Sequence, residues 1–168
     1  KKLPELRDAI DGYITPEQAG KLKIIKAHYE SLESRKAELE ELILALAAPY
    51  QQEFAILQTA PGISSDFTAI GIISEIGTNM EAFPSAKHLC SWAGLTPTNN
   101  ESAGKKKSVR VSKAGCYIKP LLVQCANAVV KSSKHPEMRN RYLRLKKRRG
   151  HKKAIIAIAR MLLTALYH

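Results

Sequence analysis

The spacing of apolar residues between positions 16 and 48 constrains the fold of this 168-residue chain more than any other feature. Eight positions, separated by alternating steps of three and four, carry seven apolar side chains and one lysine: Leu22, Ile25, Tyr29, Leu32, Lys36, Leu39, Ile43 and Leu46. This is the heptad pattern of a coiled coil, in which a single polar residue can set the register. With Thr15 as the N-terminal cap and Pro16 in the first turn, the pattern predicts one helix.

A helix over residues 16–48 would be about 48 Å long at 1.5 Å per residue, which is the length of an arm rather than of a core helix. Two arrangements are open: an arm that pairs with another chain or an upstream segment, and one leg of an antiparallel hairpin within the chain. Only 15 residues precede Pro16, too few for a matching leg. We therefore expect an arm that forms a homo-oligomer. Because the sequence begins at Lys1 rather than Met, we also expect a fragment of a longer protein.

The remainder of the chain is predicted to be α-helical. Apolar periodicity between Pro- and Gly-rich breaks indicates helices at 50–59, 63–76, 84–93, 116–132, 136–149 and 152–167. Gly77 and Gly150 are expected to separate successive helices, and only residues 108–111 resemble a strand. The predicted fold class is mainly α: a long N-terminal coiled-coil helix, then a compact helical domain with a helix-hairpin-helix-like element.

The helix-hairpin-helix-like element spans residues 58–77. Its turn, Pro61-Gly62-Ile63, has a small residue that would let backbone N–H groups reach a DNA phosphate at the start of the second helix. The usual Gly-apolar-Gly sequence is incomplete, because Ser64 stands at the second glycine position. The alternative interpretation is a plain helical corner in the core.

Positive charge is concentrated in the second part of the chain. Residues 1–100 contain 9 Lys/Arg and 13 Asp/Glu, a net charge of −4, whereas residues 101–168 contain 18 and 2, a net charge of +16. Such a segment favours a polyanionic partner, most commonly nucleic acid. The alternative is a ribosomal-type or membrane-surface patch, but the only Trp lies upstream at Trp92. No apolar run approaches the length of a membrane span, so we expect no membrane partner.

Two clusters of basic residues are the candidate contacts with nucleic acid. The first lies in a Gly- and Ser-rich segment and the second in the predicted helix at 136–149 and just after it: Lys105, Lys106, Lys107, Arg110 and Lys113, and then Arg144, Lys147, Arg148 and Lys152. So many cations predict salt-dependent phosphate binding without sequence readout, unless the loop is merely solvated. Met138, Tyr142 and Leu145 are expected to form an inward stripe rather than a stacking platform.

Metal and catalytic motifs are sparse. The three cysteines form no Cys-x-x-Cys pair, so neither a zinc site nor a disulfide framework is expected, and a reducing cytoplasm fits. Glu101 and Glu137 are the only acids after residue 100, so no two-metal site is predicted. Ser102 precedes the lysine cluster, whose cations would stabilise an alkoxide and the charge formed when it attacks a phosphodiester. An ordinary loop serine is the alternative.

A series of short segments resembles one protein family. They occur in the order Thr59-Ala60-Pro61-Gly62-Ile63, Ile76-Gly77, Phe83-Pro84-Ser85-Ala86, Ala93-Gly94-Leu95-Thr96-Pro97, Glu101-Ser102-Ala103-Gly104 and Ser112-Lys113-Ala114-Gly115. The chain resembles the C-terminal domain of bacterial insertion-sequence transposases with a DEDD-type RuvC-like domain. These are bridge-RNA-guided recombinases related to Piv-type DNA invertases. The similarity covers residues 55–168, the predicted transposase domain, and residues 1–54 correspond to the family's linking coiled coil.

The resemblance implies a DNA recombinase. In this family, the serine in the loop after Gly-Leu-Thr-Pro attacks DNA and becomes linked to a 5′-phosphate, and Ser102 holds that position. A RuvC-like domain upstream of Lys1 would supply four acidic residues and a divalent metal, expected to be Mg²⁺, to an active site shared between subunits. This chain is then expected to hold no cofactor itself and to be inactive alone. The implied partners are DNA and a guide (bridge) RNA, and the implied location is the bacterial cytoplasm at the nucleoid.

Two other classes of function stay open. A non-catalytic helix-hairpin-helix module that binds DNA or RNA would use the same basic residues, and Ser102 would have no role. A coiled-coil assembly protein would explain the arm, but not the net charge of +16 in residues 101–168.

Overall fold

The structure is a computed structural model that describes residues 2–98, 100–102, 105–108 and 110–168, with only the backbone at 100–102 and 105–108. The described part of the chain is mainly helical, which confirms the predicted fold class, and it divides into two compact units, Lys1–Pro49 and Tyr50–His168. The first unit contains α1 (Leu3–Ile10) and α2 (Pro16–Ala47). The other elements are α3 (Gln51–Gln58), α4 (Asp66–Ile76), α5 (Ala86–Trp92), β1 (Asn100–Ser102), β2 (Lys105–Ser108), α6 (Ile118–Lys131), α7 (Pro136–Arg149) and α8 (His151–Tyr167), with short 3-10 turns at Ala48–Tyr50 and Met80–Ala82.

The long helix predicted from the heptad pattern is present as α2. The Thr15 hydroxyl accepts a hydrogen bond from the Gln18 backbone N–H (3.3 Å), and Gln18 Oε1 accepts one from the Thr15 backbone N–H (2.9 Å), which forms a capping box. The apolar residues of the heptad seam are 37% to 69% exposed. Lys36, the polar residue of that seam, forms an ion pair with Glu40 of the same helix at 3.8 Å. Pairing of α2 with a second helix therefore stays a prediction.

Helix α1 is an element that the sequence analysis did not assign. Its apolar residues Leu3, Leu6 and Ile10 follow steps of three and four and are all exposed. A helix of eight residues contains too few turns for such periodicity to distinguish it from a loop.

Helix α8 lies at the centre of the second unit. Helices α5, α6 and α7 pack directly against it, α4 packs on α6, and α3 packs on α4. Apolar residues at helical spacing bury one broad face of α8: Ile155, Ile158, Ala159, Leu162 and Leu163. The helices predicted after residue 50 are all present, with bounds that differ from the predicted ones by up to three residues.

Two local predictions were wrong in their bounds. The helix predicted at 63–76 begins only at Asp66, because Ile63 is buried in the preceding turn. The strand predicted at 108–111 is misplaced: β2 ends at Ser108, Val111 forms only an isolated bridge with Pro97, and residue 109 lies outside the described residues. A run of lysines has low strand propensity, so β2 is defined by its antiparallel pairing with β1 and not by its own composition.

The predicted hairpin between α3 and α4 is a tightly packed corner. Gly62 has a φ of +83°, and a Cβ added there would lie 2.6 Å from the carbonyl oxygen of Cys125 on α6. Its neighbour Ile63 is only 1% exposed. Close packing on α6 is a sufficient reason for the glycine, which favours the structural interpretation of this turn. A contact between this turn and nucleic acid stays a prediction.

Candidate nucleic-acid interface

Two glycines bring the segments on either side of the lysine cluster together. Gly94 and Gly115 have φ values of +66° and +65°. A Cβ on Gly94 would collide with the carbonyl oxygen of Ala114, and one on Gly115 would collide with that of Ala93. We call this crossing of two backbones the glycine junction. It explains why two of the family-like segments, at 93–97 and 112–115, both contain a glycine.

Lys119 reinforces the glycine junction from α6. Its ammonium group donates hydrogen bonds to the carbonyl oxygens of Ser112 (2.7 Å) and Ala114 (2.8 Å). These are charge-assisted hydrogen bonds, which are stronger than neutral ones. Lys119 is therefore a structural cation, and it was not among the predicted contacts with nucleic acid.

A two-stranded ribbon extends from the glycine junction and carries Ser102. At its base, Pro97 bridges Val111, and both the backbone N–H and the hydroxyl of Thr98 donate to the carbonyl oxygen of Arg110 at 3.0 Å. Beyond them β1 pairs with β2, and Ser102 opposite Lys105 is the last pair. Residues 103 and 104, which connect the two strands, lie outside the described residues. An isolated hairpin is marginally stable in water, so the ribbon depends on its anchored base.

The register of the ribbon brings the predicted serine and lysines into one short segment. Ser102 is the register partner of Lys105 and Glu101 that of Lys106, and the register then shifts between Glu101 and Asn100. The shift leaves Lys107 as the additional residue of a bulge between the two strands. The backbone thus places Ser102 and Lys105 opposite each other at the outer end of the ribbon.

A basic groove of about 940 Å³ lies beside the base of the ribbon. We call it the ribbon-side groove. Its walls combine the ribbon base with the start of α8, and its basic lining residues are Arg110, Arg149, Lys152, Lys153 and Arg160. Arg110 and Lys152 were among the predicted contacts, and Arg149 and Lys153 belong to the same basic run at 136–153. Arg160 was missed because it is an isolated charge within an apolar helix, and only the packing of α8 turns it toward the other cations.

A second basic groove, of about 820 Å³, lies between α7 and α8. We call it the terminal groove, because its lining includes His168. Arg141, Arg144 and Arg148 line it from α7, where steps of three and four residues place them on one face. Arg144 and Arg148 were predicted, and Arg141 completes the row. Of the remaining predicted contacts, Lys113 and Lys147 are exposed and line neither groove.

The predicted inward stripe on α7 is confirmed. Tyr142 is buried, while Met138 and Leu145 are half-buried. The Tyr142 hydroxyl lies 2.8 Å from His151 Nδ1, and the two rings meet edge to face. Tyr142 therefore joins α7 to α8 and is not a platform on which bases could stack.

Few groups oppose the positive charge of this surface. Neither groove is lined by Asp or Glu among the residues that the structure describes. Lys26, Arg35 and Lys36 form ion pairs with glutamates of their own helix α2, and Glu137 pairs with His135 at 3.5 Å. Clustered like charges destabilise a folded chain until an anion binds them.

The described residues contain no group of three or more His, Cys, Asp or Glu side chains that could hold a metal ion. Two of the cysteines are packed in the core: Cys90 Sγ lies 3.6 Å from the Thr164 hydroxyl, and burial raises the pKa of the Cys125 thiol. A thiol in such surroundings is a weak nucleophile at neutral pH.

No helix in the described part of the chain is both long and apolar enough to cross a bilayer.

The profile of the transposase IS116/IS110/IS902 family matches residues 54–143. The chain belongs to this family. Neither a curated protein nor a solved structure matched it. The matched range includes the glycine junction, the ribbon and Arg141 of α7, whereas the other arginines of the terminal groove and the α8 walls of both grooves lie beyond residue 143. Membership confirms the predicted resemblance and gives the chain a transposase-type function, with DNA as its partner.

Proposed function

We propose that this transposase chain carries the nucleophile of DNA strand transfer, and that the nucleophile is Ser102. The observation that carries the proposal is the register of the ribbon, in which Ser102 pairs with Lys105 at its outer end. Family membership adds that the substrate is DNA. The ribbon extends from an anchored base, so the serine at its outer end can reach a backbone phosphate of a bound duplex without any movement of the helical core.

In the proposed reaction the Ser102 hydroxyl attacks a phosphodiester of DNA. A bond forms between its oxygen and phosphorus as the serine hydroxyl gives up its proton, the bond from phosphorus to the 3′ oxygen breaks, and the released 3′ oxygen takes up a proton to become a 3′ hydroxyl. The product is a serine linked to a 5′-phosphate. Lys105 and Lys106 supply positive charge where negative charge develops on the phosphorus centre. The linkage is reversible, because the covalent bond to phosphorus is exchanged rather than hydrolysed.

Metal chemistry does not fit the described residues of this chain, since no cluster of candidate ligands is present among them. We therefore propose that a divalent metal, expected to be Mg²⁺, is held by the acidic residues of a RuvC-like domain outside this chain. The contribution of this chain is the nucleophile, the nearby cations and the binding surface.

The ribbon-side groove is proposed to hold the DNA that Ser102 attacks. The groove combines the base of the ribbon with Arg149, Lys152 and Lys153, so a phosphate backbone bound there would lead toward the ribbon. Lys113 and Lys147 are exposed and suit peripheral phosphate contacts. Binding through cations alone supplies affinity without sequence readout. Sequence choice would then come from a guide RNA, the second proposed partner.

The exposed seam of α2 is proposed to join two copies of the chain. Its apolar residues are arranged as a heptad and lie on the surface of the chain. A coiled-coil dimer would bury them and would bring two serine-bearing ribbons into one assembly.

Ser102→Ala in the full-length transposase tests the proposal. We expect no covalent complex between protein and 3′-labelled DNA on a denaturing gel, while DNA affinity stays within about twofold because only a phosphate-directed hydroxyl is removed. Ser108→Ala, on the paired strand of the same ribbon, is the matched control and should still form the complex.

Transposition at the normal level by the Ser102→Ala protein would refute the nucleophile. It would favour instead a non-catalytic DNA- or RNA-binding module. In that case charge reversal at Lys105, Lys106 and Lys107 would account for the whole loss of function.

A further inference from the structure

We infer that the ribbon-side groove and the terminal groove form one continuous path for the backbone of duplex DNA, along α8, with Arg160 as a phosphate contact at the point where they meet. The inference deepens the proposed function, because it assigns the course of the DNA beyond the ribbon. Only the statement that the path leads toward Ser102 rests on the proposed function. The binding path itself can be tested without any chemistry at the serine.

Continuity of the two grooves is the first argument. Ala157 and Arg160, on successive turns of α8, line both grooves. The ribbon-side groove takes its α8 residues from Lys152 onward, and the terminal groove continues to His168. The small side chain of Ala157 leaves the passage between the two grooves open, and Arg160 places a cation at the middle of the path.

The distribution of charge is the second argument. Arg149, Lys152 and Lys153 lie in the first half of the path, Arg160 at its middle, and the Arg141, Arg144 and Arg148 row in its second half. No carboxylate lines any part of it among the described residues. Arginine binds phosphate through a planar fork of donors, so the five arginines of the path from 141 to 160 suit a row of phosphates better than a single anion.

The dimensions are the third argument. From Lys152 to His168 the α8 axis rises by about 24 Å at 1.5 Å per residue. At 3.4 Å per base pair this is the length of about seven base pairs of duplex. Arg141 to Arg148 covers about 10 Å of α7, which matches roughly three successive phosphates of one strand.

The composition of the groove linings indicates which form of nucleic acid fits the path. No Phe, Tyr or Trp in the described part of the chain lines either groove. Sites for single strands usually provide aromatic side chains on which bases stack. A path that offers cations and aliphatic side chains, without Phe, Tyr or Trp among the described residues, suits a backbone whose bases remain stacked within a duplex.

Salt-dependent binding of the 168-residue chain to a 16-base-pair DNA duplex tests the inference. Each phosphate contact contributes about 0.9 to the slope of log K against log salt. Arg141→Gln/Arg144→Gln should therefore reduce the slope by about 1.8, and Lys152→Gln/Lys153→Gln by a similar amount, while Arg160→Gln reduces it by about 0.9. Lys134→Gln/Arg139→Gln is the matched control: it removes two exposed cations that line neither groove, and should change the slope by well under 1.

Stoichiometry distinguishes one path from two separate sites. One continuous path binds one 16-base-pair duplex per chain, and both variant pairs weaken that single event. Two duplexes per chain, each lost in a different variant pair, would overturn the inference. Slopes that change no more in the groove variants than in the control would overturn it as well.

The nucleic acid itself is identified by a parallel titration with an RNA hairpin of equal length. Loss of DNA affinity in Arg141→Gln/Arg144→Gln supports the inference, and loss of RNA affinity alone overturns it. Circular dichroism of each variant establishes that the helices are intact. These measurements are independent of strand transfer: an inactive Ser102→Ala protein with intact slopes separates the binding path from the proposed nucleophile.

Discussion

The arm and the second unit use apolar and charged residues in opposite ways. In α2 the apolar residues of the seam are exposed, and charged residues pair with each other along the helix, as Arg35 does with Glu38 at 2.9 Å. In the second unit an apolar core is buried around α8, and neither of its two grooves is lined by Asp or Glu among the described residues. The arm therefore leaves an apolar seam exposed and pairs part of its charge within itself, whereas the second unit has an apolar core and grooves lined by cations. We expect an apolar partner for the arm and a polyanion for the second unit.

A leucine-to-alanine change in each region should test this difference between the arm and the second unit most clearly. Leu162→Ala, at a fully buried position of α8, should lower the free energy of unfolding by about 2–5 kcal/mol through lost burial and the cavity left behind. Leu32→Ala, at a 54% exposed position of α2, should leave the unfolding of the second unit unchanged. Its effect should be on assembly: we expect light scattering to show a dimer of the unaltered chain, and Leu32→Ala to weaken that dimer.

Thermal unfolding at several protein concentrations separates the two effects, because only assembly depends on concentration. Glu33→Ala, adjacent to Leu32 and outside the heptad seam, is the control for the arm. A chain that stays monomeric at high concentration would contradict the proposed coiled coil and would leave the exposed seam unexplained.

A glycine-to-alanine change in each region should have opposite signs. Gly115→Ala places a Cβ against the carbonyl of Ala93 at a positive φ, and the backbone conformation alone costs roughly 1–2 kcal/mol. We expect a lower melting temperature and impaired strand transfer, since the ribbon is anchored at this junction. Gly20→Ala lies within α2 with no atom near the added Cβ, so it should stabilise the helix by about 1 kcal/mol. Equal effects of the two changes, measured by thermal denaturation, would refute the glycine junction.

The smallest expected effect concerns the start of the arm. Thr15→Ala removes the hydroxyl of the capping box and should cost about 1 kcal/mol of helix stability. Hydrogen exchange of the first turn of α2 should become faster, while the helices of the second unit keep their protection. Ser34→Ala, a mid-helix hydroxyl on the same arm, serves as the control and should leave the first turn unchanged.

Local patterns in the sequence predicted most of the helices, and the reason is that each such pattern acts over a few residues. Thr15 and Pro16 mark the start of α2, and Gly77 and Gly150, both at positive φ, end helices where expected. The ribbon was missed for the opposite reason. Its strands are short and rich in lysine, and they exist because residues 94 and 115, distant in sequence, pack backbone against backbone. Arg160 was missed because nothing beside it in the sequence marks it as part of a basic surface.

Taken alone, the amino-acid sequence determined the arm, the division of charge between the two parts of the chain and the family to which it belongs. Heptad spacing, net charge and ordered short segments are all properties of the linear chain. Only the tertiary structure decided that Gly62 serves packing on α6, that Ser102 and Lys105 end a ribbon, and that arginines of α7 and α8 share one basic surface. These depend on contacts between residues far apart in sequence, which form only when the helices bury their apolar faces against α8.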